Sequence, residues 1–205
     1  MVRSDVVIVR DASDGGKAGA LDAALRLVST PYVVLADSAQ TFDEATIPFL
    51  LAAFDDPLVG AASGMLSPEF GDAVINAYWR YELYLRRLQS RGRGIVCVTG
   101  SVYAIRRELW RPLPPRVICD DLFVTFGIHA QGYKAVLVQE ARARDPRRFT
   151  REREFERRVR TLSGLFQFVA AWPWVLSPCR NAIWTDFVFH KLLRLLTPVV
   201  LATLF

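Results

Sequence analysis

Apolar residues along this chain fall into short runs whose period changes as the sequence advances. Residues 6–9 form a β-branched run, ended by the Asp, Ser and Gly residues of a loop at 11–16. From Lys17 the spacing becomes helical: Ala18, Leu21, Ala24, Leu25 and Val28 share one face and predict a helix over 17–28. Tyr32–Ala36 is continuously apolar, which predicts a buried strand with Asp37 opening the loop behind it. A helix over 45–54 stops at Asp55, Asp56 and Pro57. Further on, the pattern predicts a strand at 59–63, a long helix at 70–89, a strand starting at 95–98, a helix at 122–131 and a strand at 135–138. Strands alternating with helices predict an α/β fold, with a mainly parallel sheet covered by helices on both faces.

Beyond Asp145 the character changes. Residues 149–168 read as a basic amphipathic helix, followed by Trp172, Pro173 and Trp174 and then a strongly apolar end. Residues 195–205 carry no charge, but a spanning helix needs about 20 residues. The expectation is a cut transmembrane helix or an interfacial one. Phe187, Phe189, Leu192, Leu193 and Leu196 alternate with His190, Lys191 and Arg194, which suits an interface where cations reach headgroups. Three segments follow from this: 1–148, 149–185 and 186–205.

Charge sharpens the picture more than composition does. Apolar residues make up 52% of the 205, enough for a sizeable core, and the net charge is +5. Between 142 and 160 stand nine Arg against four acids (Asp145, Glu152, Glu154, Glu156), so this segment carries the whole excess. Such a stretch suits phosphates or an anionic membrane surface. It lacks any groove-reading or aromatic RNA-binding pattern, so nucleic acid is not expected as a partner. The three cysteines, Cys97, Cys119 and Cys179, are far apart and accompanied by two His, which supports neither a disulfide framework nor a zinc site. A reducing, cytosolic setting is expected, and the N-terminus shows no apolar signal region.

Four places could carry chemistry. Gly15-Gly16-Lys17 opens a predicted helix, where backbone N–H groups and a cation suit phosphate; an ordinary glycine turn is the alternative. Asp37 follows a buried strand, where α/β sheets bind ligands and a carboxylate can hold a divalent cation; a turn-forming Asp is the plainer reading. Asp120-Asp121 precede a helix, either as its cap or as an acid pair of which one serves as general base. Arg157-Arg158-Val159-Arg160-Thr161 is either a solvated helix face or an anion site.

In order and spacing, these pieces resemble the processive, membrane-bound branch of the family 2 glycosyltransferases, which includes cellulose, chitin, hyaluronan and poly-N-acetylglucosamine synthases. Gly16–Leu25, Val33–Gln40, Phe54–Gly64, Tyr78-Trp79-Arg80-Tyr81-Glu82 and Gly100–Arg107 carry the likeness. Asp120-Asp121, Gln131-Gly132-Tyr133, Arg157–Thr161 and His190–Arg194 continue it. The resemblance implies a GT-A fold, a UDP-sugar donor, Mg2+ or Mn2+, a glycan acceptor and an inverting displacement. By position, Lys17 would lie near the donor diphosphate and Asp37 would be the first acid of an Asp-X-Asp metal motif. Asp121 would be the catalytic base, and Arg157 and Arg160 would fall in the Gln-X-X-Arg-Trp motif that contacts pyrophosphate and acceptor.

Residues 1–148 would then be a partial catalytic domain, and the protein would sit at the cell membrane with that part on the cytoplasmic face. Ala39 stands in place of the second metal-motif acid and Thr161 in place of the Trp. The strands that bind uridine in the family are expected to be missing, which reads as a fragment or a shortened gene product. An inactive, membrane-apposed remnant or partner subunit is the competing expectation.

Overall fold

The computed structural model describes residues 6–10, 15–38, 40–68, 73–145, 151–196 and 203. Five strands, β1 (Tyr32–Ala36), β2 (Thr41–Phe42), β3 (Val59–Pro68), β4 (Val102–Arg106) and β5 (Lys134–Asp145), form one sheet in the order β1-β4-β3-β5-β2. The helices are α1 (Gly16–Leu27), α2 (Thr46–Ala52), α3 (Ala73–Arg91), α4 (Asp120–Ala130), α5 (Arg151–Ala171) and α6 (Trp184–His190). A 3-10 turn at Leu192–Leu196 follows α6.

Period-two alternation sends each strand's side chains to opposite faces. Leu35, Tyr103 and Ile105 join the larger core with Ala18, Phe123, Phe126 and Phe168. Val102 and Ala104 point the other way, to a smaller core with Leu50 and Phe54. Helices thus cover both faces. The sheet itself is mixed: β3 pairs β5 in parallel, while β4 runs antiparallel to both β1 and β3, and β2 antiparallel to β5. An apolar run reports burial on two faces, not direction, so the sequence pattern gave no sign of this reversal.

One expected strand is absent among the described residues. Ile95, Val96 and Val98 are buried, but the segment bonds outside a ladder: Ile95 N–H donates to Ala135 O at 2.8 Å and Val98 N–H to Thr125 Oγ1 at 3.1 Å. Residues 6–9 have no regular structure, and Val6, Val7 and Ile8 are 65%, 73% and 83% exposed.

Aromatic contacts join the later helices. Phe123 and Phe126 of α4 meet Phe168 of α5 at 4.9 Å each, and Phe126 meets Phe187 of α6 at 5.1 Å. Phe187 is therefore core rather than interfacial, and the cations expected to point at headgroups are otherwise engaged. His190 is buried between Gln89 Nε2 (3.0 Å) and Glu82 Oε2 (3.1 Å), and Arg194 pairs with Glu82. Phe189, Leu193 and Leu196 do remain exposed. No helix among the described residues is long and apolar enough to cross a membrane. The expectation for 197–202 and for 204–205 lies outside the described residues, as does the placement of Ala39.

Candidate active site

The carboxyl end of β1 meets the N-termini of α1 and α4. Asp37 follows β1 and is held by the turn that leads into β4: its N–H donates to Ser101 O at 3.4 Å, and Ser101 Oγ donates to its Oδ2 at 3.3 Å. Lys17, in the first turn of α1, reaches across with Nζ 3.5 Å from Asp37 Oδ1 and 3.1 Å from Asp120 Oδ2. Three of the chemistry-bearing positions picked from the sequence thus touch, and Asp121 is the next residue along.

The capping role considered for the Asp pair goes elsewhere. Cys119 occupies the N-cap position of α4, with no side-chain cap bond. Asp120 and Asp121 lie in the first turn, where the helix dipole favours negative charge. Their surroundings differ. Asp120 is buried against Lys17. Asp121 lies beside Gly100, where an added Cβ would stand 3.7 Å from its Oδ2, and its Oδ1 accepts Leu122 N–H at 3.0 Å. Burial, then the charge of Asp120, holds the Asp121 carboxyl above its ordinary range, while the Cys97 thiol and Lys191 pull the other way. A carboxylate made more basic in this way suits proton abstraction.

Helix α5 is docked against the same end of α4. Cys119 Sγ donates to Thr161 O at 3.9 Å, and Gln167 Oε1 accepts Ile118 N–H at 2.9 Å. Gly164 makes the approach feasible, because a Cβ there would press on Cys119 Sγ and stand 3.0 Å from Ile118 Cγ2. Arg157 and Arg160 are exposed on this helix, one turn and less from the contact. Burial and the two aspartates push the Cys119 thiol up to about 12, with Lys191 and Arg160 opposing. Thr161 turns its hydroxyl back onto Arg157 O at 2.8 Å, an in-helix bond rather than a stacking surface.

Two residues gain importance only in three dimensions. Arg86 of α3 donates to Thr99 Oγ1 (2.8 Å), Ser63 Oγ (2.9 Å) and Cys97 O (3.3 Å), bracing the segment that backs Asp121. In sequence it is one Arg on an amphipathic helix. Lys191 is the second: its charge favours the ionised form of Asp121.

Among the described residues, no group of three His, Cys, Asp or Glu side chains is disposed to hold a metal ion. Asp37, with its carboxylate 41% exposed, fits a different arrangement, in which a Mg2+-like cation takes one carboxylate and completes its shell with substrate phosphates.

The family model described as Glycosyltransferase like family 2 matches residues 3–164. No curated protein sequence matches. Among solved structures, a mannosyltransferase from Pyrobaculum calidifontis, in complex with GDP-Man and Mn2+, aligns with TM-score 0.64 and 24% identity over 76% of this chain and 43% of that one. A glucosyl-3-phosphoglycerate synthase from Mycobacterium tuberculosis, in complex with Mn2+, UDP and glucosyl-3-phosphoglycerate, aligns with TM-score 0.48 and 19% identity over 79% of this chain and 56% of that one. The chain thus spans about half the length of these structures. The likeness to the mannosyltransferase bears out the α/β, GT-A-like architecture expected from the sequence. With the family model matching most of its length, this chain belongs to the glycosyltransferase-like family 2.

Proposed function

We propose that this chain acts as a glycosyltransferase that moves a sugar from a UDP-sugar onto a glycan by inverting displacement. The observation that carries the reading is the junction where Asp37 at the end of β1 and Asp120-Asp121 at the start of α4 are drawn together by Lys17. Carboxyl ends of strands in open α/β sheets are where ligands bind.

In this reading the acceptor hydroxyl attacks the anomeric carbon, its proton passes to a carboxylate oxygen of Asp121, and the bond to the diphosphate breaks. Negative charge grows on the departing diphosphate, so the Arg160 guanidinium and the Lys17 ammonium help the transition state more than the ground state. Arg157 supports the same anion. Asp37 is the residue that would hold Mg2+ or Mn2+, whose charge further neutralises the diphosphate. Both neighbouring structures contain Mn2+, one with GDP-Man and one with UDP, which supports a nucleotide-sugar donor with a divalent cation.

A placement at the cytoplasmic face of the cell membrane remains our proposal for location. It rests on the exposed side chains of Phe189, Leu193 and Leu196 and on the basic residues of α5. Transfer from UDP-sugars by the chain in its full-length gene context tests the function, with Asp121→Asn as the control. Donor binding without transfer would favour the inactive reading, which Ala39 and Thr161 also favour.

A further inference from the structure

Lys17 keeps about half its side chain in solvent, yet its ammonium is held from two sides. The two contacts are unequal. Asp120 offers Oδ2 at 3.1 Å from a carboxylate 8% exposed, and Asp37 offers Oδ1 at 3.5 Å from one 41% exposed. Taking the ammonium from Asp120 strands a buried charge, a severe penalty. Taking it from Asp37 leaves a carboxylate that water can solvate, a minor one. Lys17 is therefore anchored on Asp120 and leans on Asp37. Because Ser101 Oγ donates to Oδ2 at 3.3 Å, both oxygens of Asp37 are engaged.

A divalent cation arriving alone would meet one occupied carboxylate and a fixed charge of its own sign. Arrival with a diphosphate changes both conditions. Phosphate oxygens complete the cation's coordination, and their negative charge gives the ammonium a second partner without taking it from Asp120.

We propose that Lys17 guards Asp37, so that the site rejects a free divalent cation and admits the cation only together with the diphosphate of the donor. The second half of this statement rests on the nucleotide-sugar reading; the first half rests on the ion pairs alone.

Free Mn2+ is measured by electron paramagnetic resonance while MnCl2 is added to the chain without nucleotide. Lys17→Met keeps the length of the side chain and removes its charge. It is expected to bind Mn2+ at least about fivefold more tightly than the unaltered chain. Adding Asp37→Asn to Lys17→Met is expected to erase that gain. Should the stranded Asp120 prevent folding, Lys17→Met with Asp120→Asn removes the stranded charge and is expected to show the same gain. Equal affinity in altered and unaltered chains, including no detectable binding to either, overturns the proposal, and so does a gain that survives Asp37→Asn. UDP or GDP is then added to the unaltered chain, where it should raise Mn2+ affinity; no rise with either nucleotide overturns the second half. Failure of the functional reading looks different: Mn2+ and nucleotide bind as expected and no sugar is transferred.

Discussion

Asp120 and Asp121 share a helical turn but serve different neighbours, so substitutions one residue apart should separate their roles. Asp121→Asn is expected to lower transfer by roughly a hundredfold or more while leaving donor binding nearly intact, because it removes a base and little else. Asp120→Asn should be milder, since that residue holds Lys17 rather than the acceptor. Single-turnover transfer and equilibrium donor binding measured on both variants decide it; a more damaging Asp120→Asn would place the base one residue earlier. Arg160→Ala should weaken binding and turnover together. The pH profile adds an independent check. A base works when ionised, so kcat/KM should fall as pH drops through the pKa of Asp121, which burial and Asp120 hold above the ordinary 3.8. Removing the second cause with Asp120→Asn should move that acid limb to lower pH.

At the scale of elements, α3 is joined by a polar latch to the end of α6 and the 3-10 turn after it. Burial pushes Glu82 up, but His190 and Arg194 outweigh it and hold its carboxyl at about 2 against the ordinary 4.5. A depressed carboxylate stabilises the fold above its unfolded pKa, so this contribution is full above about pH 4.5 and lost as pH falls toward 2. Glu82→Gln should cost about 2 kcal/mol near neutrality, after allowance for solvent at Arg194, and should flatten the acid limb of urea-melt stability in that window. Gly164→Ala should destabilise by about 1–3 kcal/mol, as α5 is forced off Cys119 and Ile118, and thermal unfolding would register it. Which elements could be read in advance follows from where their hydrogen bonds end. Helices α1 and α4 bond within themselves, so their apolar spacing located them to within a residue or two. Residues 95–98 donate to Ala135 and Thr125, partners far along the chain that no local pattern reveals. In the site, loop glycines mark Lys17, a strand end marks Asp37, and a helix start together with the family resemblance marks Asp121. Arg86 was not, because a charged residue that folds inward on an amphipathic helix looks like one that faces water.

For the whole molecule, strand order decides what is left open. Strand β1 carries Asp37 but stands at one end of the sheet, with β4 as its partner on one side. Residues 6–9, four β-branched residues in a row, lie largely in solvent without joining any strand among the described residues. An edge left unpaired among the described residues and an uncharged, strand-prone segment are the two halves of a template for chains to add to one another. This arrangement should make the isolated chain colloidally fragile: light scattering should rise with protein concentration well below the unfolding temperature. Val7→Lys, which places a gatekeeping charge in the run without touching the core, should suppress that rise and leave the melting temperature unchanged. Crowding of many such chains would turn the strand that positions Asp37 into a nucleus for fibre growth.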